Sequence, residues 1–232
     1  MFHASVRRFV LGTDALLRGD GALRDRFASP TTMGSLRHLL ITTLIFGMFY
    51  GAVMGAFGGF GSDRLLQVLY SAIKVPMLLL VSFCLSLPSF FVLNTLLGVR
   101  SDFPRVIGSV MSTQAGLTVV LASLAPFTAF WYVSDSRYDA ALTFNAAMFG
   151  VATLAANWIL RRAYRPLIRR NPRHRLLLIV WLVTYAFVTI QMAWVLRPFV
   201  GDPSSPVSFF RRDAWGNAYV ELFRIVKRAM GI

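Results

Sequence analysis

A chain of 232 residues that is 56% hydrophobic and 15% charged, with mean hydropathy +0.60, is too apolar for an ordinary soluble domain, where roughly 45–50% of residues are apolar and about 25% charged. The net charge of +14 resembles that of a nucleic-acid binder in bulk, but the basic residues sit between long apolar runs, a distribution that argues against nucleic acid as a partner. One cysteine, Cys84, excludes a disulfide framework or a zinc site, and His3, His38 and His174 share no ligand cluster in the sequence, so no metal or cofactor is expected.

Residues 1–35 carry Arg7, Arg8, Arg18, Arg24, Arg26, Asp14, Asp20 and Asp25. No apolar core follows a short basic start, so a cleavable signal peptide is not expected. Ser5–Leu17 has weak helical amphipathicity, which suits a helix lying in a membrane interface.

A membrane-spanning helix needs about 20 mostly apolar residues to cross a ~30 Å hydrocarbon core. Five runs qualify: Leu36 to about Phe60, Leu66–Gly98, Pro104–Val133, Ala140–Leu160 and Leu176–Leu196. The links are Gly61–Leu65, Val99–Phe103, Ser134–Asp139 and Arg161–Arg175. Short links make successive helices antiparallel neighbours, and runs without period-two alternation do not fit barrel strands. The expected fold is an all-α, polytopic membrane helical bundle: an N-terminal cytoplasmic segment (1–35), a five-span transmembrane domain (36–198), and a C-terminal linker with an amphipathic helix (199–232).

The first span places Gly47, Gly51, Gly55 and Gly59 four residues apart. Such a face lets another helix backbone approach closely, which favours association in lipid. Gly108, Ser112 and Gly116 echo it in the third span. The face serves either packing of spans one and three or self-association.

The second run has 33 residues and would be about 49 Å long at ~1.5 Å per residue. It contains Lys74, Pro76 and Pro88. Each proline removes a backbone donor, so kinks are expected, and interrupted helices at membrane depth line protein or a water-filled cavity. A lysine at a span centre costs about 2.5–3.5 kcal/mol or more. Lys74 therefore either snorkels to the interface or pairs with Asp63, Asp135, Asp139 or Asp202. Asn94, Gln114, Asn145, Asn157 and Gln191 punctuate the spans as interhelical hydrogen-bonding groups or as a polar path. Lys74, Pro76, Pro88, Asn94, Gln191 and Arg197 are the candidate functional residues.

No span holds Asp or Glu near its centre, which argues against a carboxylate proton relay. Nucleophile-elbow and phosphate-loop patterns are missing, and Ser82, Ser86 and Ser89 have no membrane-side base. The chain reads as a non-enzyme.

Arg161, Arg162, Arg165, Arg169 and Arg170 form the densest basic cluster. It controls topology, attracts anionic lipid headgroups at roughly 1 kcal/mol per basic residue, or does both. With the N-terminus inside, fifteen basic residues lie on the cytoplasmic side: six up to Arg37, Arg100 and Arg105, and seven in Arg161–Arg175. Arg64 and Arg137 are the two in the outer loops. The imbalance predicts a cytoplasmic N-terminus and an external C-terminus, in what is expected to be a bacterial inner membrane. Beyond the spans, 201–206 reads as a turn-rich linker. Trp215, Tyr219, Leu222, Phe223, Val226 and Met230 then recur at helical spacing.

The stretch Lys74-Val75-Pro76-Met77-Leu78-Leu79-Leu80, followed by Leu87-Pro88-Ser89-Phe90-Phe91-Val92-Leu93-Asn94-Thr95-Leu96-Leu97-Gly98, resembles the Yip1 family over roughly residues 36–160. The eukaryotic family's Asp-Leu-Tyr-Gly-Pro type motif is not present. The resemblance implies a non-enzymatic helical bundle that binds partners or shapes membrane, and it assigns no active residues. The expected function is that of a scaffold or accessory subunit bound to other membrane protein subunits or to itself. The alternative is an oligomeric channel or transporter subunit with a polar pathway near the second span.

Overall fold

The computed structural model describes residues 33–59, 61, 64–211 and 216–220. Those residues form five long helices and no strand: α1 (Met33–Gly55), α2 (Leu65–Leu96), α3 (Phe103–Ser134), α4 (Tyr138–Arg170) and α5 (Arg173–Leu196). A single 3-10 turn, Ala56–Gly58, extends α1, and another, Arg100–Asp102, precedes α3. All five helices are long and apolar enough to cross a membrane. The protein is an all-α helical bundle. In lipid a helix satisfies its own backbone polar groups, which is why continuous apolar runs take this form.

The helices alternate between two ends. The proximal end holds the start of α1 and the α2–α3 and α4–α5 links; the distal end holds the α1–α2 and α3–α4 links and the end of α5. Helix α1 packs against both α2 and α3, with α4 on α3 and α5 on α2. One core cluster joins α2, α3, α4 and α5 through Phe90, Val110, Tyr164 and Trp181. A second joins α1 to α4 through Tyr50, Val75, Leu121 and Ala152, and includes Val200 from beyond α5.

The five spans lie where the apolar runs predict them, with three differences. Helix α2 carries Pro76 and Pro88 inside one continuous helix, so the run is not divided into two segments; at ~1.5 Å per residue it is about 48 Å long. It ends on Gly98, whose φ of +71° favours glycine. There Val99 N–H donates to Asn94 O and Gly98 N–H to Thr95 O, the Schellman pattern that satisfies terminal carbonyls.

The expected Arg161–Arg175 link is largely helical. Helix α4 continues past Pro166 to Arg170, leaving Asn171 and Pro172 as the connection. Leu160, Tyr164 and Leu167 explain it: they are buried at helical spacing, while Arg161, Arg162, Arg165, Arg169 and Arg170 are exposed.

The glycine face is also redistributed. A Cβ at Gly51 would lie 2.9 Å from Ala72 Cα, and one at Gly55 2.8 Å from Val68 Cα, so these glycines admit the α2 backbone. Gly47 faces Pro76 of α2 and Thr118 of α3. Gly59 has φ +86° and nothing within 4 Å; it closes the turn after α1 and takes no part in packing.

The Ser5–Leu17 amphipathic segment lies outside the described residues. Of the Trp215–Met230 helix, only 216–220 are described, and residues 218–220 are helical.

Candidate functional site: a polar stripe beneath the C-terminal segment

Arg64, Gln67, Ser71 and Lys74 are spaced three, four and three residues apart, which places them on one face at the start of α2. That face lies under the chain that leaves α5. Lys74 Nζ donates to Pro198 O at 2.7 Å. Gln67 Nε2 donates to Phe199 O at 3.3 Å and to Ser71 Oγ at 3.0 Å. Ser71 Oγ also donates to Phe199 O. Arg64 donates from Nη1 to Asp202 O at 3.0 Å and from Nη2 to Pro203 O. Tyr138, at the start of α4, donates its hydroxyl to Val200 O at 3.3 Å.

These bonds have one physical logic. A non-helical segment packed on a membrane bundle presents carbonyls that no helix satisfies, and an unpaired buried carbonyl costs as much as a lost hydrogen bond. The α2 stripe supplies the missing donors. Gly201 completes the fit, since a Cβ there would come within 2.9 Å of Gln67 Cδ.

Lys74 is the most consequential member. It is fully buried, at 0% relative exposure. Its ammonium takes the Pro198 carbonyl and lies 4.9 Å from the Phe209 ring centroid. It thus does not snorkel, and among the described carboxylates none is its partner: Asp135 is paired with Arg137 at 2.9 Å. Asp202 turns its carboxylate onto Ser204 and Ser205. Ser204's hydroxyl and backbone N–H hold the Asp202 pKa below its ordinary value. Asp63 lies outside the described residues.

The same chain end is held again further along. Gln191 on α5 donates to Gly216 O at 3.1 Å and accepts from Ala218 N–H at 3.0 Å. Tyr219 stacks on Phe187 with ring centroids 4.3 Å apart and donates to Phe187 O. Arg197 places its guanidinium 3.2 Å from the Trp194 ring centroid. Two of the candidate residues, Lys74 and Gln191, therefore meet on one task, fixing the C-terminal segment, and Arg197 lies at its start. Pro76 is buried beside Gly47, and Pro88 is exposed on α2. Asn94 donates to Phe90 O at 2.9 Å, within its own helix at the proximal end.

The other intramembrane amides divide. Gln114 reaches Leu79 O and Tyr185 Oη, both at 3.4 Å. Asn145 accepts from Tyr50 Oη at 3.1 Å and donates to Tyr132 Oη at 2.6 Å, joining α4 to α1 and α3. Asn157 is half-buried and bonds Thr153 O of its own turn.

The sequence reading gave no role to a cluster at the proximal end. Asp102 is buried and accepts from Arg105 at 2.7 Å, with Arg170 at 3.5 Å and His174 Nε2 at 3.2 Å. Arg173 donates to Leu97 O at 2.9 Å. One signal was available: Asp102 is the only acidic residue between Asp63 and Asp135, amid basic links. The distal stripe had a signal too, since Gln67, Ser71 and Lys74 repeat at helical spacing inside an apolar run. Nothing in the sequence marked what they would bind.

Comparison with protein-family models, with curated proteins and with solved structures gives no match to this chain.

Proposed function

We propose that this protein is a non-enzymatic accessory or scaffold subunit of a bacterial inner-membrane assembly, with its N-terminus in the cytoplasm and its C-terminus outside. The observation that carries this reading is how Lys74 is used. The one lysine inside a span is spent on the chain's own Pro198 carbonyl, as are Gln67 and Ser71 on Phe199. Buried polar groups committed to internal bonds rigidify a bundle and specify its arrangement. A fixed distal cap and exposed proximal arginines suit a part held in one orientation among partners and anionic lipid.

The glycines at 47, 51 and 55 are occupied within the chain, so association with other subunits or with a second copy falls to the apolar outer faces. Leu176, Ile179, Val183, Phe187 and Ile190 form such a face on α5.

The channel or transporter reading draws on a different observation. Gln67, Ser71, Lys74, Ser82, Ser86 and Asn94 are all buried on α2, and Ser109, Ser112, Gln114 and Thr118 on α3. The internal hydrogen bonds of Ser86, Ser112 and Thr118 to their own helices weigh against a hydrated path.

Purification in mild detergent followed by reconstitution tests the choice. The scaffold reading expects a stoichiometric complex with other membrane proteins and liposomes that stay ion-tight. A lone chain that conducts or transports in liposomes would overturn it.

A further inference from the structure

Between the α2 stripe and the segment above it lies a pocket of about 460 Å³, lined by Arg64, Gln67, Ser205, Ser208, Phe210 and Arg211 among others. Its charge is uneven. Arg64 and Arg211 both line it, and the buried Lys74 bonds the carbonyl of Pro198, another lining residue. Asp202 is the acid among the described lining residues, and its carboxylate is already taken by Ser204 and Ser205. Arg64 has two of its five donors on backbone carbonyls, which fixes the fork and leaves three N–H groups. Arg211 lines the exposed side of the pocket.

A guanidinium fork held in place, as that of Arg64 is, with a second arginine on the same pocket, recognises planar or tetrahedral oxyanions, phosphate above all. The pocket's setting narrows the source. It lies at the end of a helix long enough to cross a membrane. Phe210 on its lining is exposed, and the adjoining α2 surface exposes Leu66 and Ile73. A ligand here has a polar cavity for its head and apolar surface for its tail.

We propose that this pocket binds the phosphate of a glycerophospholipid headgroup, with Arg64 and Arg211 on the phosphate oxygens and an acyl chain beside Phe210 and α2. The site is at the opposite end of the bundle from the α4 arginines and does not depend on the scaffold reading.

Native mass spectrometry of the intact chain in detergent, titrated with a short-chain phosphatidylglycerol, tests it. The expected result is one saturable lipid adduct whose apparent Kd rises about tenfold in Arg211→Gln, equivalent to 1.4 kcal/mol, and which is lost in Arg64→Gln/Arg211→Gln. The α4 variant Arg161→Gln/Arg165→Gln/Arg169→Gln should keep the adduct. Arg64 also anchors the C-terminal segment, so Arg211→Gln, whose position is exposed, is the deciding single variant, with its melting curve as the folding control. Titration with inorganic phosphate separates the sources: it should neither bind nor displace the lipid at matched concentration. Full occupancy in Arg211→Gln, loss of the adduct in the α4 variant alone, or equal binding of inorganic phosphate would each overturn the proposal.

Discussion

Lys74 and Pro198 are 124 positions apart in the chain, yet the ammonium of one, a fully buried residue, donates to the carbonyl of the other, a half-buried one, at 2.7 Å. This bond ties the second span to the exit of the fifth. Removing the cation leaves the Pro198 carbonyl without its donor, and hydrogen bonds to charged groups contribute about 1.5–3 kcal/mol. Lys74→Met should therefore lower the melting temperature in detergent by about 3–12 °C, taking ~2–4 °C per kcal/mol for a chain of this size. Limited proteolysis should cut within 201–206 sooner. Because the partner is a carbonyl, a second change of Asp135→Asn or Asp139→Asn should restore nothing. Rescue by either would mean that a carboxylate holds Lys74.

Gly51 and Gly55 should be intolerant of any side chain. Even alanine at 51 would sit within 2.9 Å of Ala72 Cα, an approach that backbone atoms relieve only by separating the helices. Overpacking of this kind costs about 1–3 kcal/mol, so Gly51→Ala should destabilise measurably and Gly51→Leu should prevent recovery of folded protein. Gly150, on α4, meets nothing within 4 Å. Gly150→Ala should match wild type in thermal unfolding, and a loss there equal to that at Gly51 would refute the packing argument.

The spans were legible in the sequence because each is a continuous apolar run, and in lipid that pattern has one outcome. The stripe at Arg64, Gln67, Ser71 and Lys74 was legible as spacing but not as purpose. Its partners are backbone carbonyls at 198–203, and a carbonyl leaves no trace in residue identity. The α4 extension was hidden by its own arginines, which read as a loop until Leu160, Tyr164 and Leu167 are seen as one buried face. The proximal cluster was hidden for a related reason: Asp102 and His174 are 72 positions apart.

At that cluster, Asp102 is the acceptor for Arg105 and for a completely buried His174, with Arg170 beside it. Removing one partner of a buried charged group costs about 3–5 kcal/mol because the others are left uncompensated. Asp102→Leu should destabilise by an amount at the lower end of that range, since Arg105 and Arg170 retain solvent contact. Asp102→Asn keeps an acceptor oxygen and should lose less. Denaturation followed by fluorescence in a background that keeps Trp181 and replaces the other four tryptophans by Phe reports on this end, as Trp181 belongs to the same core cluster as Tyr164 and Leu177. Equal stability of Asp102→Leu and wild type would show that the cluster is electrostatically idle.

The final expectation concerns orientation. The proximal end gathers Arg37, Arg100, Arg105, Arg161, Arg162, Arg165, Arg169, Arg170, Arg173 and Arg175 around the single described acid, Asp102. At the distal end, arginines and carboxylates are mixed: Asp135 with Arg137, and Asp202 near Arg64 and Arg211. Arginines near the ends of spans are retained on the cytoplasmic side, so the proximal end should face the cytoplasm. Helix α5 carries the chain back across, which puts residues 197–211 outside. Alkaline phosphatase fused after Asp135 or Ser205 should be active, and fused after Asn171 inactive, at matched expression. The reverse pattern would place the arginine-rich end outside. Activity at Asp135 without activity at Ser205 would mean that α5 does not span the membrane, and residues 198–203 could then not reach the start of α2, which lies at the same end as Asp135.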